Sequence, residues 1–187
     1  MSHAGSERKI EAALVVIVPE AEPLVGRFRE KYDPAAGWGV PAHITINYPF
    51  IPGVEPTADV LDRLSKRFAE MLPFSFTLDH IAKFPKVIYL APKPSIPFVR
   101  LIEQTAHEFP ESPLYEGRFD TITPHLTVAY SDDSELLASV QREFTDAALD
   151  HLPVNAFADR VWLMDNSAGR WKKRASFKLG SDLLTPC

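Results

Sequence analysis

The chain has 187 residues, 45% of them hydrophobic, with a formal net charge of −5 and a sequence pI near 5.7. This fits one globular domain, or two small lobes sharing a core. The acidic balance argues against a grip on long duplex nucleic acid, where a basic surface neutralises phosphates. The single cysteine, Cys187, leaves no intramolecular disulfide to form, and the longest apolar run near the N-terminus, Ala12 to Val18, is too short for a membrane span and unlike a signal peptide. A cytoplasmic protein is expected.

Taken in chain order, the apolar run Leu14 to Pro19 reads as a β-strand, and Pro23 opens a helix whose stripe is Leu24, Phe28 and Tyr32. A loop carrying Trp38 between Gly37 and Gly39 leads to a strand at His43-Ile44-Thr45-Ile46-Asn47-Tyr48. Leu61, Leu64, Phe68 and Leu72 predict a second helix, ended by Pro73 and followed by a β-prone segment from Phe74 to Phe84. The order then repeats. Val87 to Pro92 predicts a strand, Pro97 opens a helix with Phe98, Ile102 and Ala106, and a second His-Leu-Thr-Val strand starts at His125. Leu137, Val140, Phe144 and Ala148 predict the matching helix, ended by Pro153, with a β-prone segment from Val154 to Met164. After the turn-like Asn166 to Gly169, a last strand over 170–179 has no counterpart. Its cations, Arg170, Lys172, Lys173, Arg174 and Lys178, form a basic patch or a solvated strand face.

The fold expected is α+β: a single bilobal domain of two pseudo-symmetric β-α-β-α-β lobes, from repeats over about 12–84 and 87–164. Their sheets would face a central cleft with the helices outside. On each motif strand a period of two puts the His and Thr on one face, and the apolar residues and the closing Tyr on the other. Tyr48 and Tyr130 are therefore expected in the core. Six His and nine Thr in this chain would give about 0.3 His-x-Thr strings by chance, whereas two occur in the same strand phase. Two imidazoles across a cleft suit a reaction that moves two protons, one ring accepting and the other donating. In-line displacement at phosphorus is such a reaction, with the two hydroxyls donating to the non-bridging oxygens.

His43-Ile44-Thr45-Ile46, His125-Leu126-Thr127-Val128 and the duplicated organisation resemble the 2H phosphoesterases, which include 2′-5′ RNA ligase-like proteins and cyclic nucleotide phosphodiesterases. The resemblance covers most of residues 12 to 180. It implies His43 and His125 as the acid/base pair and Thr45 and Thr127 as phosphate-binding hydroxyls. It further implies opening of 2′,3′-cyclic phosphates, or handling of 2′-5′ linkages, with no metal or other cofactor. The partner would be a small cyclic nucleotide or an RNA terminus, with no long duplex and no membrane. Trp38 is a candidate to stack on a base, and Arg118 and Phe119 are candidates to contact phosphate and base. Two rival readings remain: a non-catalytic module that binds a nucleotide or RNA end, and a metalloenzyme using both His, for which no third ligand presents itself.

Overall fold

The structure, a computed structural model, describes residues 10–52, 56–113 and 122–180. Its strands are β1 (Ala12–Ile17), β2 (His43–Asn47), β3 (Phe74–Phe84), β4 (Val87–Lys93), β5 (Leu126–Tyr130), β6 (Val154–Ala158), β7 (Arg160–Asp165) and β8 (Lys172–Lys178). Its helices are α1 (Glu22–Tyr32), the single turn α2 (Pro34–Gly37), α3 (Ala58–Ala69), α4 (Ile96–Glu108) and α5 (Ser134–Ala148).

The apolar stripes set the helices. In α5, Asp133 caps the N-terminus by accepting from Glu135 N and Leu136 N, and the expected Leu137, Val140, Phe144 and Ala148 are the buried residues. In α3, Leu64 and Phe68 are buried as expected, but the helix ends at Ala69, so Leu72 falls beyond it and is 69% exposed. Pro sits in the first turn of both α1 and α4, where a missing N–H leaves no partner unsatisfied.

The described strands form one antiparallel sheet in the order β6-β3-β4-β5-β2-β1-β7-β8. Two separate sheets facing each other are not what the chain builds. The two motif strands, β2 and β5, are neighbours at the centre. The segment read as one strand over 154–164 breaks at Asp159 into β6, which pairs with β3, and β7, which pairs with β1. In a flat sheet those two strands would lie roughly 29 Å apart, six strand spacings. One residue joins them, so the sheet curls until its ends approach.

The curled sheet has a covered face and an open face. Leu14, Val16, Ile44, Ile46, Leu126 and Val128 belong to the main core, together with Phe28, Phe68, Phe98 and Phe144 of the helices. The helices cross the central seam: α1 packs on β5, and α4 packs on β2. A smaller cluster, Ala13, Val15, Val40 and Met164, lies apart from this core, and it is here that the open face carries the motif side chains.

Candidate active site

Strand pairing brings the four motif residues together. Ile44 pairs with Leu126, and both are fully buried. One step along this antiparallel register in either direction sets His43 across from Thr127 and Thr45 across from His125. All four share the phase opposite to Ile44 and Leu126, so they form a square on the open face, with directly opposed Cβ atoms about 5 Å apart. Each imidazole thus stands beside two hydroxyls, one on its own strand and one on the other.

Both rings are oriented in the same way. The Nδ1 of His43 lies 2.7 Å from the Pro41 carbonyl oxygen, and the Nδ1 of His125 lies 2.8 Å from that of Thr123. A carbonyl only accepts, so each Nδ1 carries its proton and donates it. Nε2 is then the nitrogen left to exchange a proton with a ligand. Burial pushes the His43 imidazole down from the usual value to about 4. The Arg29 guanidinium and His125 add to the depression, while the Pro41 carbonyl and Asp33 oppose it. His43 as a whole is only half-buried, so the crowding is local. Burial also lowers His125, opposed by the Thr123 carbonyl.

The segment leading into β2 is braced from below. Arg29 is 2% exposed and Asp33 7% exposed. Arg29 donates through Nη2 to the Val40 carbonyl at 3.0 Å and through Nε to Asp33 at 3.1 Å. Glu22 accepts from Ala42 N, and Val18 N donates to Ala42 O. Gly39, at φ +98°, allows the tight approach to the Trp171 carbonyl between α2 and β2.

A β-bulge overturns the expected burial of both motif tyrosines. Val15 pairs with Thr45 and Leu14 with Asn47, leaving Ile46 as the extra residue. Tyr89 pairs with Thr127 and Ile88 with Ala129, leaving Val128 extra at the equivalent position. Each extra residue reverses the alternation beyond it. Asn47 consequently turns inward, donating to the Ser112 carbonyl at 2.8 Å, and Tyr48 turns to the open face. Tyr130 is 41% exposed rather than core.

Beside the square is a pocket of about 470 Å³. His43 and Thr45 are among its lining residues. Ala13, Val15 and Met164 contribute apolar lining, Trp38, Tyr48 and Trp171 add aromatic rings, and Glu11 and Asn166 are polar. Trp38, a sequence candidate, therefore reaches the same pocket as two motif residues, and is 54% exposed. On the far side, Phe84 meets the His125 ring edge-on at 5.2 Å and stacks on Tyr89 at 4.4 Å; Tyr89 lies 5.3 Å from His125. Arg118 and Phe119 lie outside the described residues. Glu11, Tyr48, Phe84, Tyr89 and Trp171 were not candidates from the sequence. Extending the strand phase back from Val15 through Ala13 would have reached Glu11; the others depend on pairing across the sheet.

Of the basic residues in the last strand, Lys173 lies over the Trp162 ring at 4.5 Å and Arg174 reaches Asp165 at 2.8 Å. Lys172, Lys173, Arg174 and Lys178 belong to β8, an edge of the sheet where charge discourages further strand pairing. Among the described residues, no group of three His, Cys, Asp or Glu side chains is placed to hold a metal ion. No described helix is long and apolar enough to cross a membrane.

Residues 17–170 match the family model of the 2′-5′ RNA ligase superfamily. Among solved structures, the chain is similar to Escherichia coli LigT complexed with 3′-AMP (16% identity, TM-score 0.59, covering 92% of this chain and 99% of that one). It is similar to the same protein complexed with NADP+ (18%, TM-score 0.56, 92% and 99%). TT0787 of Thermus thermophilus is a third (19%, TM-score 0.58, 94% and 100%). These likenesses show the fold. No curated protein matches the sequence.

Proposed function

The chain belongs to the 2′-5′ RNA ligase superfamily, the 2H phosphoesterases, and from that premise we propose that it opens 2′,3′-cyclic phosphates of nucleotides or RNA ends without a metal. The observation that carries this reading is the paired Nδ1-to-carbonyl tether, which leaves the Nε2 of each ring to exchange a proton, on neighbouring strands whose same face carries Thr45 and Thr127. Binding alone does not call for two titrating groups held in the same tautomer.

In the reaction, one neutral imidazole takes a proton from water as the water oxygen bonds to phosphorus. The bond to the ribose 2′ or 3′ oxygen breaks, and the other ring, as imidazolium, gives that oxygen a proton. The lower value of His43 supports it as the acceptor, leaving His125 as the donor. The anionic substrate favours the charged form of His125 once bound. Thr45 and Thr127 donate to the non-bridging oxygens as charge moves onto them. Trp38 stacks on the base in the adjoining pocket. Escherichia coli LigT with 3′-AMP, ATP and NADP+ gives the same fold with nucleotides bound, which supports a nucleotide ligand here.

The test is hydrolysis of the four 2′,3′-cyclic nucleotides by purified protein in chelator. His43→Ala and His125→Ala each lower turnover by roughly 10²–10⁴-fold, with little change in melting temperature because both rings border an open face. Thr45→Val and Thr127→Val keep the branched shape and lose about 2–4 kcal/mol of transition-state stabilisation each. A wild type that binds these nucleotides and turns none over would establish a binding module instead.

A further inference from the structure

The pocket beside His43 and Thr45 holds a carboxylate that phosphate chemistry does not use. Glu11 precedes β1 and shares the phase of Ala13 and Val15, which line the same pocket, Val15 being paired with Thr45. Val15 lies four positions after Glu11, about 13 Å along an extended strand. That length leaves room for a nucleoside between the carboxylate and the motif residues that line the same pocket. Glu11 is fixed in place. Its backbone N–H donates to Asn166 Oδ1 at 2.9 Å, its carbonyl accepts from Asn166 N at 3.2 Å, and its Oε2 accepts from the Tyr48 hydroxyl at 3.1 Å. A carboxylate has about four acceptor sites on two oxygens. One tyrosine hydroxyl on Oε2 therefore leaves capacity for a ligand.

We propose that Glu11 makes this pocket selective for guanine. The proposal rests on the cyclic-phosphate reading, with phosphorus over the His/Thr square and the base between aromatic rings. A carboxylate asks for two adjacent N–H donors on the facing edge. Guanine presents N1–H and the N2 amino group side by side. Adenine and cytosine each set a bare ring nitrogen beside their amino group, and uracil flanks its one N–H with two carbonyls. Each of these three turns a lone pair toward the carboxylate. Bases held out of a helix are read in this way, by hydrogen bonds to the pairing edge and stacking on aromatic faces. Tyr48 is a positioning residue here: the bulge at Ile46 turns it to the open face, where its hydroxyl holds Glu11.

The experiment measures kcat/KM for the four 2′,3′-cyclic mononucleotides, and for short RNAs ending in guanosine or uridine 2′,3′-cyclic phosphate. In parallel, it measures binding of the four nucleoside 3′-monophosphates by quenching of tryptophan fluorescence. Wild type is expected to prefer guanosine by about five- to one-hundred-fold, the range for a good bidentate contact. The mononucleotides or the RNA ends show which source is used. Glu11→Gln brings the guanosine-to-uridine ratio to about one, and Tyr48→Phe lowers it several-fold, which serves should the first variant fold poorly. Selective binding of guanosine 3′-monophosphate without any turnover would support Glu11 while removing the cyclic-phosphate reading. Equal turnover and equal binding of all four bases, or an unchanged ratio in folded Glu11→Gln, would overturn the proposal.

Discussion

With the His43 ring lowered to about 4 and the His125 ring lowered as well, free enzyme at neutral pH holds both imidazoles uncharged. On the proposed mechanism the donor must then gain its proton in acid or from the field of a bound phosphate. The kcat/KM profile of the free enzyme should therefore be a bell peaking below pH 6.5, with kcat limbs displaced upward. A kcat/KM profile flat from pH 5 to 9 would count against a two-histidine mechanism. Folding stability carries the same signature. An unfolded His takes up its proton near pH 6.5, whereas folded His43 resists until about 4. Across that window the unfolded state binds more protons, so this penalty is absent above pH 6.5 and grows as the pH falls toward 4. Allowing for the half-buried state of His43, it is on the order of 2 kcal/mol. Urea unfolding at pH 7.5 and 4.5 should show a shallower pH dependence for His43→Gln than for wild type; parallel curves would remove the effect.

The link from α1 into β2 decides where His43 stands. Arg29 is buried with Asp33 and also holds the Val40 carbonyl, so Arg29→Met leaves a buried carboxylate without its partner. The expected loss is about 3–5 kcal/mol, read as a fall in denaturant midpoint. Arg29→Met/Asp33→Ala should recover part of it, and a single variant as stable as wild type would show that the pair is solvated. Removing this guanidinium should also raise the value of His43, since its charge helps depress it. Elements of this kind were legible to different degrees. The His-x-Thr strings were readable because strand alternation is local, and α5 was readable because its stripe is unbroken. The bulges at Ile46 and Val128 were not, since an extra residue is defined by the partner strand. The two tyrosines beyond them were placed on the wrong side for that reason.

The repeats read from the sequence do not fold about themselves. β3 pairs with β4, β1 with β7, α1 packs on β5 and α4 on β2, so each half supplies the neighbours of the other. Phe28 of α1 meets Phe144 of α5 edge-on at 5.0 Å across this seam. Fragments 1–84 and 87–187 should each give the collapsed amide dispersion of an unfolded chain, and gain dispersion when mixed. A fragment with native-like spectra alone would show that its half folds without the other. The strand count and helix order were visible because each depends on short-range pattern; the exchange was not, because pairing between distant segments leaves no local periodicity. The position of β1 carries one further consequence. It is inserted between β2 and β7, and its sequence, Ala-Ala-Leu-Val-Val-Ile, is the kind that adds to any free strand edge. During translation β2 emerges soon after it, but β7 follows nearly 150 residues later, a wait of roughly seven to thirty seconds at ordinary elongation rates. Throughout that interval one side of β1 stays unpaired on the ribosome, so stalled or truncated nascent chains of this protein are the species that need a chaperone.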